Sequence, residues 1–396
     1  MSGARDTDCG MSYLIDRDVI VKLLDPVFAP TLHKKRVLSL AQATLGVLYT
    51  DRISIAEIGR MLAAATGKSP KHCVKQVDRF LSNEGIDLGT FFGPMSAYVK
   101  WTIGDRKDLL LALDWTDFDA DDHTTLVLSI ITNHGRATPL VWRTFVKSEL
   151  KDNRNAFEDE LLRFAAQVLP EGIKVTVLAD RGFGDTKLYE FLKATLGWDY
   201  VIRFRGCVTV EGEGGLSQPA EDWLHENGRV RKIEKALVTH DRRPVPAVVC
   251  VKKKDMKEAW FLATSRDDLS GEDIVELYSR RFTIEETFRD DKDDRFGLGL
   301  KEATIGDPKR RDRLFLVLAI ARVVLTSLGA AGEKLGLDVK LRANTERAKR
   351  THALVTQGRL YVLGIGVFGA MVPAILDGLS GLLHGLATVS QMIGVI

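Results

Sequence analysis

The chain has 396 residues, 45% of them hydrophobic and 28% charged, with a formal net charge of +2. That is enough apolar material for a substantial core in two or three domains, and a charge balance too near neutral to point to nucleic acid unaided. Four cysteines (Cys9, Cys73, Cys207, Cys250) lie far apart without a CxxC pair, the eight histidines form no ligand cluster, and no phosphate-binding P-loop occurs. A disulfide scaffold, a zinc site and ATP are therefore not indicated.

The first residues, to about position 12, read as a disordered lead, and no secretory signal precedes the first charges. Residues 1–107 read as a separate helical module for binding DNA. Ser54-Ile-Ala-Glu57 is a capping box opening a helix to about Ala65, Gly67 stops it, and Ser69-Pro70 starts a second helix with proline at its first position. On that second helix Lys71, Lys75 and Arg79 recur every four residues, while Val74, Val77 and Leu81 supply an apolar side. Two helices joined by a short turn, the second with a basic face, are the pattern of a helix-turn-helix reader, and equally of an ordinary helix hairpin. Residues 30–107 hold 12 Lys plus Arg against 6 Asp plus Glu. That excess, in a chain of near-zero charge, favours a phosphate-facing module.

Residues 108–205 have the order of the first part of an α/β, ribonuclease-H-like core. The apolar run Leu109 to Leu113 reads as a buried strand delivering Asp114 at its end. Runs 123–132 and 137–146, separated by the turn Asn133-His-Gly-Arg136, make three consecutive antiparallel strands. A helix over roughly 155–168 follows, with Phe157, Leu161, Leu162, Phe164, Ala165 and Val168 on its buried face. Next come a strand ending at Asp180, a Gly182 turn, a helix from about Asp185 to Leu196 and a strand over 199–205. In that architecture the first and fourth strands are neighbours, so Asp114 and Asp180 would meet. Residues 206–268 change to Gly, Glu and β-formers and read as a β-rich insertion. Trp223 and Trp260 are its packing aromatics, and Lys252-Lys-Lys254 is either a DNA-facing edge or a solvated turn.

Residues 269–332 complete the core. There Tyr278, Arg281, Glu285 and Lys292 are spaced by three, four and seven residues. At about 100° per residue they share one helical stripe, an arc of roughly 60°. A carboxylate suited to a divalent ion is thus held among two cations suited to phosphate oxygens. Leu277, Phe282, Ile284 and Phe288 make the helix half-buried, which separates it from a solvated helix laced with ion pairs.

Three blocks in this order, Asp114-Trp-Thr-Asp117, Asp180-Arg-Gly-Phe183 and Tyr278–Arg281–Glu285–Lys292, resemble the insertion-sequence-four family of bacterial DDE transposases, over roughly residues 30–350. The resemblance implies a carboxylate triad, Asp114, Asp180 and Glu285, holding two Mg²⁺ ions for which Mn²⁺ can substitute. It implies Tyr278, Arg281 and Lys292 on the DNA; the basic face of Lys71, Lys75 and Arg79, read from its own spacing and charge, is the candidate face for end recognition. It also implies double-stranded DNA as partner, both terminal inverted repeats and target, a homodimer in the DNA complex, and a bacterial cytoplasmic, nucleoid-associated protein that cuts and pastes. Glu286, about 100° off the stripe, and Asp117, past the strand end, are the rival ligands. A related nuclease that cuts without joining, a transposase-derived DNA-binding protein and a two-carboxylate hydrolase are the rival functions. Residues 333–396 read as a helical C-terminal region. Its uncharged stretch 360–376 contains three glycines and a proline, and fits helices packed on the core or a second subunit better than a membrane anchor.

Overall fold

Five helices come first: α1 (Arg17–Phe28), α2 (Lys34–Leu48), α3 (Ile55–Thr66), α4 (Pro70–Leu81) and α5 (Pro94–Ile103). The computed structural model describes residues 15–212, 214–293, 298–342 and 350–364, so the expected lead and most of the expected C-terminal region lie outside it. Ser54 caps α3 by accepting from the Glu57 N–H at 3.1 Å. The second half of the anticipated capping box is not made, because the Glu57 carboxylate pairs with Arg60 one turn on. Gly67 ends α3 at φ +66°, a left-handed cap at which a side chain would be strained. Pro70 opens α4 as expected, without a side-chain cap from Ser69.

The α/β part then runs β1 (Asp108–Phe118), β2 (His123–Ile130), β3 (Thr138–Val146), α6 (Arg154–Val168), β4 (Lys174–Ala179), α7 (Thr186–Glu190) and β5 (Asp199–Arg203). Five further strands follow: β6 (Thr209–Glu211), β7 (Ser217–Pro219), β8 (Arg231–Val238), β9 (Arg243–Val251) and β10 (Trp260–Thr264). Four helices close the described chain: α8 (Gly271–Ser279), α9 (Phe282–Lys292), α10 (Pro308–Lys334) and α11 (Leu354–Leu363). All ten strands form one mixed sheet in the order β3-β2-β1-β4-β5-β10-β9-β8-β6-β7. β4 is parallel to both β1 and β5, and β10 joins β5 antiparallel. The β-rich stretch after β5 therefore prolongs the sheet that carries Asp114 and Asp180.

Strand side chains alternate between faces, and the sheet's two faces have separate cores. Leu110, Ala112, Leu178, Val201, Leu262 and Val249 line one face, covered by Ile274, Val275 and Tyr278 of α8 and Ile284 of α9. Each buried Leu, Val and Ile among these contributes roughly 1.5–3 kcal/mol, which fixes the helix pair on the sheet. Leu109, Leu111, Leu113, Val177 and Ile202 line the other face and belong to a larger core that also contains the amino-terminal helices and α10.

The amino-terminal helices share that core with α10. α10 is long and apolar enough by composition to cross a bilayer, and nearly all of its apolar span is buried here. A helix apolar all round needs cover on every side. Part of that cover comes from the amino-terminal helices, joined by polar ties: Arg313 donates to the carbonyls of Leu81 (2.8 Å) and Ile86 (2.9 Å), and Arg310 pairs with Asp78 at 2.7 Å. α11 lies so close to α10 that a Cβ at Gly329 would stand 2.0 Å from the Leu354 carbonyl oxygen.

Candidate active site

The pairing of β1 with β4 ends at Leu113 opposite Ala179, so Asp114 and Asp180 are the next residues along neighbouring strands. Both continue the face covered by α8 and α9, since Ala112 and Leu178 lie two residues back on it. Asp114 is not at the end of its own strand, as expected from the apolar run; β1 runs on to Phe118 because β2 pairs with it to His123. What ends at Asp114 is the parallel partner. Asp180 turns the chain out of β4: its Oδ1 accepts from the Gly182 N–H at 2.7 Å, and the buried Phe183 anchors the short turn that follows.

Tyr278, Arg281, Glu285 and Lys292 do not ride on one continuous helix. α8 ends at Ser279 and α9 begins at Phe282. Across the junction the N–H groups of Arg280, Arg281, Thr283 and Ile284 bond three residues back rather than four. This tightening puts Arg281 at the start of α9, aimed at the strand edge. Its guanidinium reaches Asp114 Oδ2 at 3.4 Å and also pairs with Glu285. α9 is held in place from behind: Thr287 Oγ1 accepts from the Ala137 N–H at 2.9 Å, Arg136 pairs with Asp290 at 2.6 Å, and buried Asp291 pairs with Arg322 of α10.

The structure thus gathers Asp114, Asp180, Arg281 and Glu285 at one edge. Burial, reinforced by the charges of Asp180 and Glu285 and opposed by Arg281, pushes the Asp114 carboxyl up to about 7. A crowd of carboxylates with one cation is short of positive charge. Among the described residues no three His, Cys, Asp or Glu groups converge on one point as they stand. Arg281 lies between Asp114 and Glu285 instead.

Lys292 ends α9 with its ammonium 5.0 Å from the Phe118 ring, four residues out along the strand from Asp114. Burial lowers its pKa, while Asp117 and Asp119 oppose that shift. Tyr278 is 1% exposed, its ring edge-on to Trp260 at 5.0 Å, and burial raises its phenol to about 12. Arg281 is 5% exposed. Both side chains are buried beside the carboxylate edge. The rival ligands are engaged elsewhere: Asp117 with Lys147 (2.8 Å) and Thr124 (2.7 Å), Glu286 with Arg289 and, at 3.7 Å, Arg136. Lys71, Lys75 and Arg79 are exposed on one side of α4, with no acidic partner among the described residues. Trp223 donates to the Val210 carbonyl and packs; Lys252 to Lys254 lie in the turn between β9 and β10. Arg154 and Glu158 adjoin this edge, and the sequence did not single them out. Glu158 accepts from Trp115 Nε1 and Arg154 Nε, both at 2.9 Å, bracing the residue next to Asp114. Their i,i+4 spacing was the one available signal.

A family model described as "Transposase DDE domain" matches residues 105–322, or 218 of 396 residues (322 − 105 + 1). The chain belongs to the DDE transposase family. The match runs from just before β1 into α10 and so includes all three acids and the β-strands between Asp180 and Glu285. No curated protein matches the chain. In this DDE domain the donor set suits hard divalent ions, since the donors are carboxylate oxygens and Arg281 is the one cation paired with them.

Proposed function

We propose that the chain is a cut-and-paste DNA transposase of the insertion-sequence-four group, binding the terminal inverted repeats of its element, cleaving there and joining the freed ends to target DNA. The observation that carries this reading is the gathering of Asp114, Asp180 and Glu285 around Arg281 at the sheet edge of a DDE domain. Members of that family generally use divalent metal ions. Asp114, Asp180 and Glu285 would hold two Mg²⁺ ions here, or Mn²⁺, which when bound activate an attacking oxygen and neutralise charge on the leaving one.

The chain's own residues supply the rest. Arg281 holds Asp114 and Glu285 together across the edge. Lys292, at the outer end of the same helix, would bind a phosphate near the cut. The exposed face of Lys71, Lys75 and Arg79 takes the backbone of the element end, and a second subunit supplies the other end.

A joining assay tests the reading: labelled element-end duplex, supercoiled target plasmid, Mg²⁺ or chelator. Joined product is expected from the wild type with Mg²⁺. None is expected from Asp114→Ala, Asp180→Ala or Glu285→Ala, each retaining binding to the ends. Cleavage without joining would make the chain a nuclease, and Glu285→Ala at wild-type rate would remove it from the triad.

A further inference from the structure

The register that aligns Asp114 with Asp180 continues one strand further. Ala179 pairs with Ile202, so Arg203 stands beside Asp180 on the same face, two residues past Val201 of the α8-covered core. Arg181 follows Asp180 directly. Both arginines point at one carboxylate, Glu258, on the turn between β9 and β10. Arg203 Nη2 donates to Glu258 Oε2 at 2.7 Å, and Arg181 Nη1 approaches the same oxygen at 3.4 Å. Arg203 is also held by the Ala259 carbonyl at 2.9 Å, which aims its guanidinium along the edge.

The arrangement is unbalanced. Two guanidiniums share one oxygen of one carboxylate, Lys252 adds its charge nearby, and the buried Arg203 Nε has no hydrogen-bond partner. Glu258 itself is more than half exposed and sits on a hairpin turn. A buried guanidinium N–H left unpaired costs free energy that an incoming acceptor recovers. A phosphodiester offers two non-bridging oxygens in the bidentate geometry that guanidinium prefers.

We propose that Arg181 and Arg203 form a phosphate seat beside the carboxylate edge, and that Glu258 fills it as a stand-in which a substrate phosphodiester displaces. The proposal rests on reading the substrate as DNA. It gives the strands between Asp180 and Glu285 a purpose, since through the sheet they carry a removable acid to the reacting edge. Arg181 and Arg203 position the backbone; neither is assigned a proton transfer.

Glu258→Gln removes the competing charge and keeps the side chain's shape. In full-length protein, titrated with a short blunt duplex and separately with inorganic pyrophosphate, it is expected to tighten binding of both by about threefold to tenfold. Arg203→Gln in the Glu258→Gln background is expected to erase that gain. Unchanged thermal melts of Glu258→Gln, whose residue is on an exposed turn, keep the comparison one of binding. Equal affinity of Glu258→Gln and wild type for both probes overturns the seat, as does a gain that survives Arg203→Gln. If the gain appears with pyrophosphate while no variant binds duplex, the seat stands and the DNA reading falls. If the wild type binds duplex with no effect of Glu258→Gln on either probe, the reverse holds.

Discussion

Asp114→Asn removes a charge that the fold holds at a cost, and the cost follows from the site. The carboxyl titrates from an ordinary 3.8 up to about 7 because it is buried beside Asp180 and Glu285, with Arg281 only partly compensating. In the unfolded chain it ionises from 3.8 upward; in the folded chain it keeps its proton until about 7. Between those values the folded state binds more protons than the unfolded one, so stability falls as pH rises. The loss is about 1.4 kcal/mol per pH unit, at most about 4 kcal/mol in all and roughly half that after solvent screening and relaxation. Asparagine keeps an acceptor for the Trp115 N–H and never ionises. In chelator, denaturant unfolding at a series of pH values is therefore expected to show Asp114→Asn pulling ahead from about pH 4, by about 2 kcal/mol at about pH 7, and level above that. Added Mg²⁺ then stabilises the wild type, by about 3 kcal/mol at roughly a hundredfold excess over its dissociation constant, and leaves the variant unmoved. A difference that is flat from about pH 4 to about pH 8, or an asparagine variant less stable at the upper end, refutes this account of the site.

Replacing Lys71, Lys75 and Arg79 together with alanine is expected to weaken end binding and flatten its salt dependence by about 0.9 in slope for each phosphate no longer neutralised, with an unchanged melt; an unaltered slope in gel-shift titrations assigns α4 to packing. Arg281→Ala leaves Asp114 and Glu285 without their shared cation, and a destabilisation of about 3 kcal/mol at about pH 8 is expected, partly recovered by Arg281→Lys. Equal unfolding free energies would show that the pairing is immaterial to the fold. Gly329→Ala drives a methyl into the Leu354 carbonyl and should cost at least about 1–3 kcal/mol, measured as an earlier melt; a wild-type melt would mean α10 and α11 do not touch there.

Local chemistry made much of this legible beforehand. The apolar runs before Asp114 and Asp180, with a turn or helix signal after each, located two neighbouring strands and brought their acids together. Ser54, Gly67 and Pro70 fixed the α3–α4 hairpin from capping chemistry alone. Three things escaped for physical reasons. Helical periodicity does not register a switch to three-residue hydrogen bonding, so the break at Arg280 and Arg281 was hidden, and with it the burial that turns Arg281 from a surface cation into the counter-ion of Asp114. A strand's sequence does not name its partner, so nothing in residues 206–268 disclosed that β10 pairs with β5. A helix apolar all round, as α10 is, does not say which neighbours cover it, and here they include helices from the opposite end of the chain.

Those neighbours impose an order of events during synthesis. The ribosome releases α4 roughly 250 residues before it finishes α10, the surface on which Leu81 and Ile86 are tied. At about 5–20 residues per second the amino-terminal helices wait on the order of 10–50 s for the surface that completes their core. Until then their apolar sides are open to chaperones and proteases, and a truncated chain stopping before α10 leaves them so permanently. The ties from Arg313 to Leu81 and Ile86 therefore form only after the acids of all three blocks have been made.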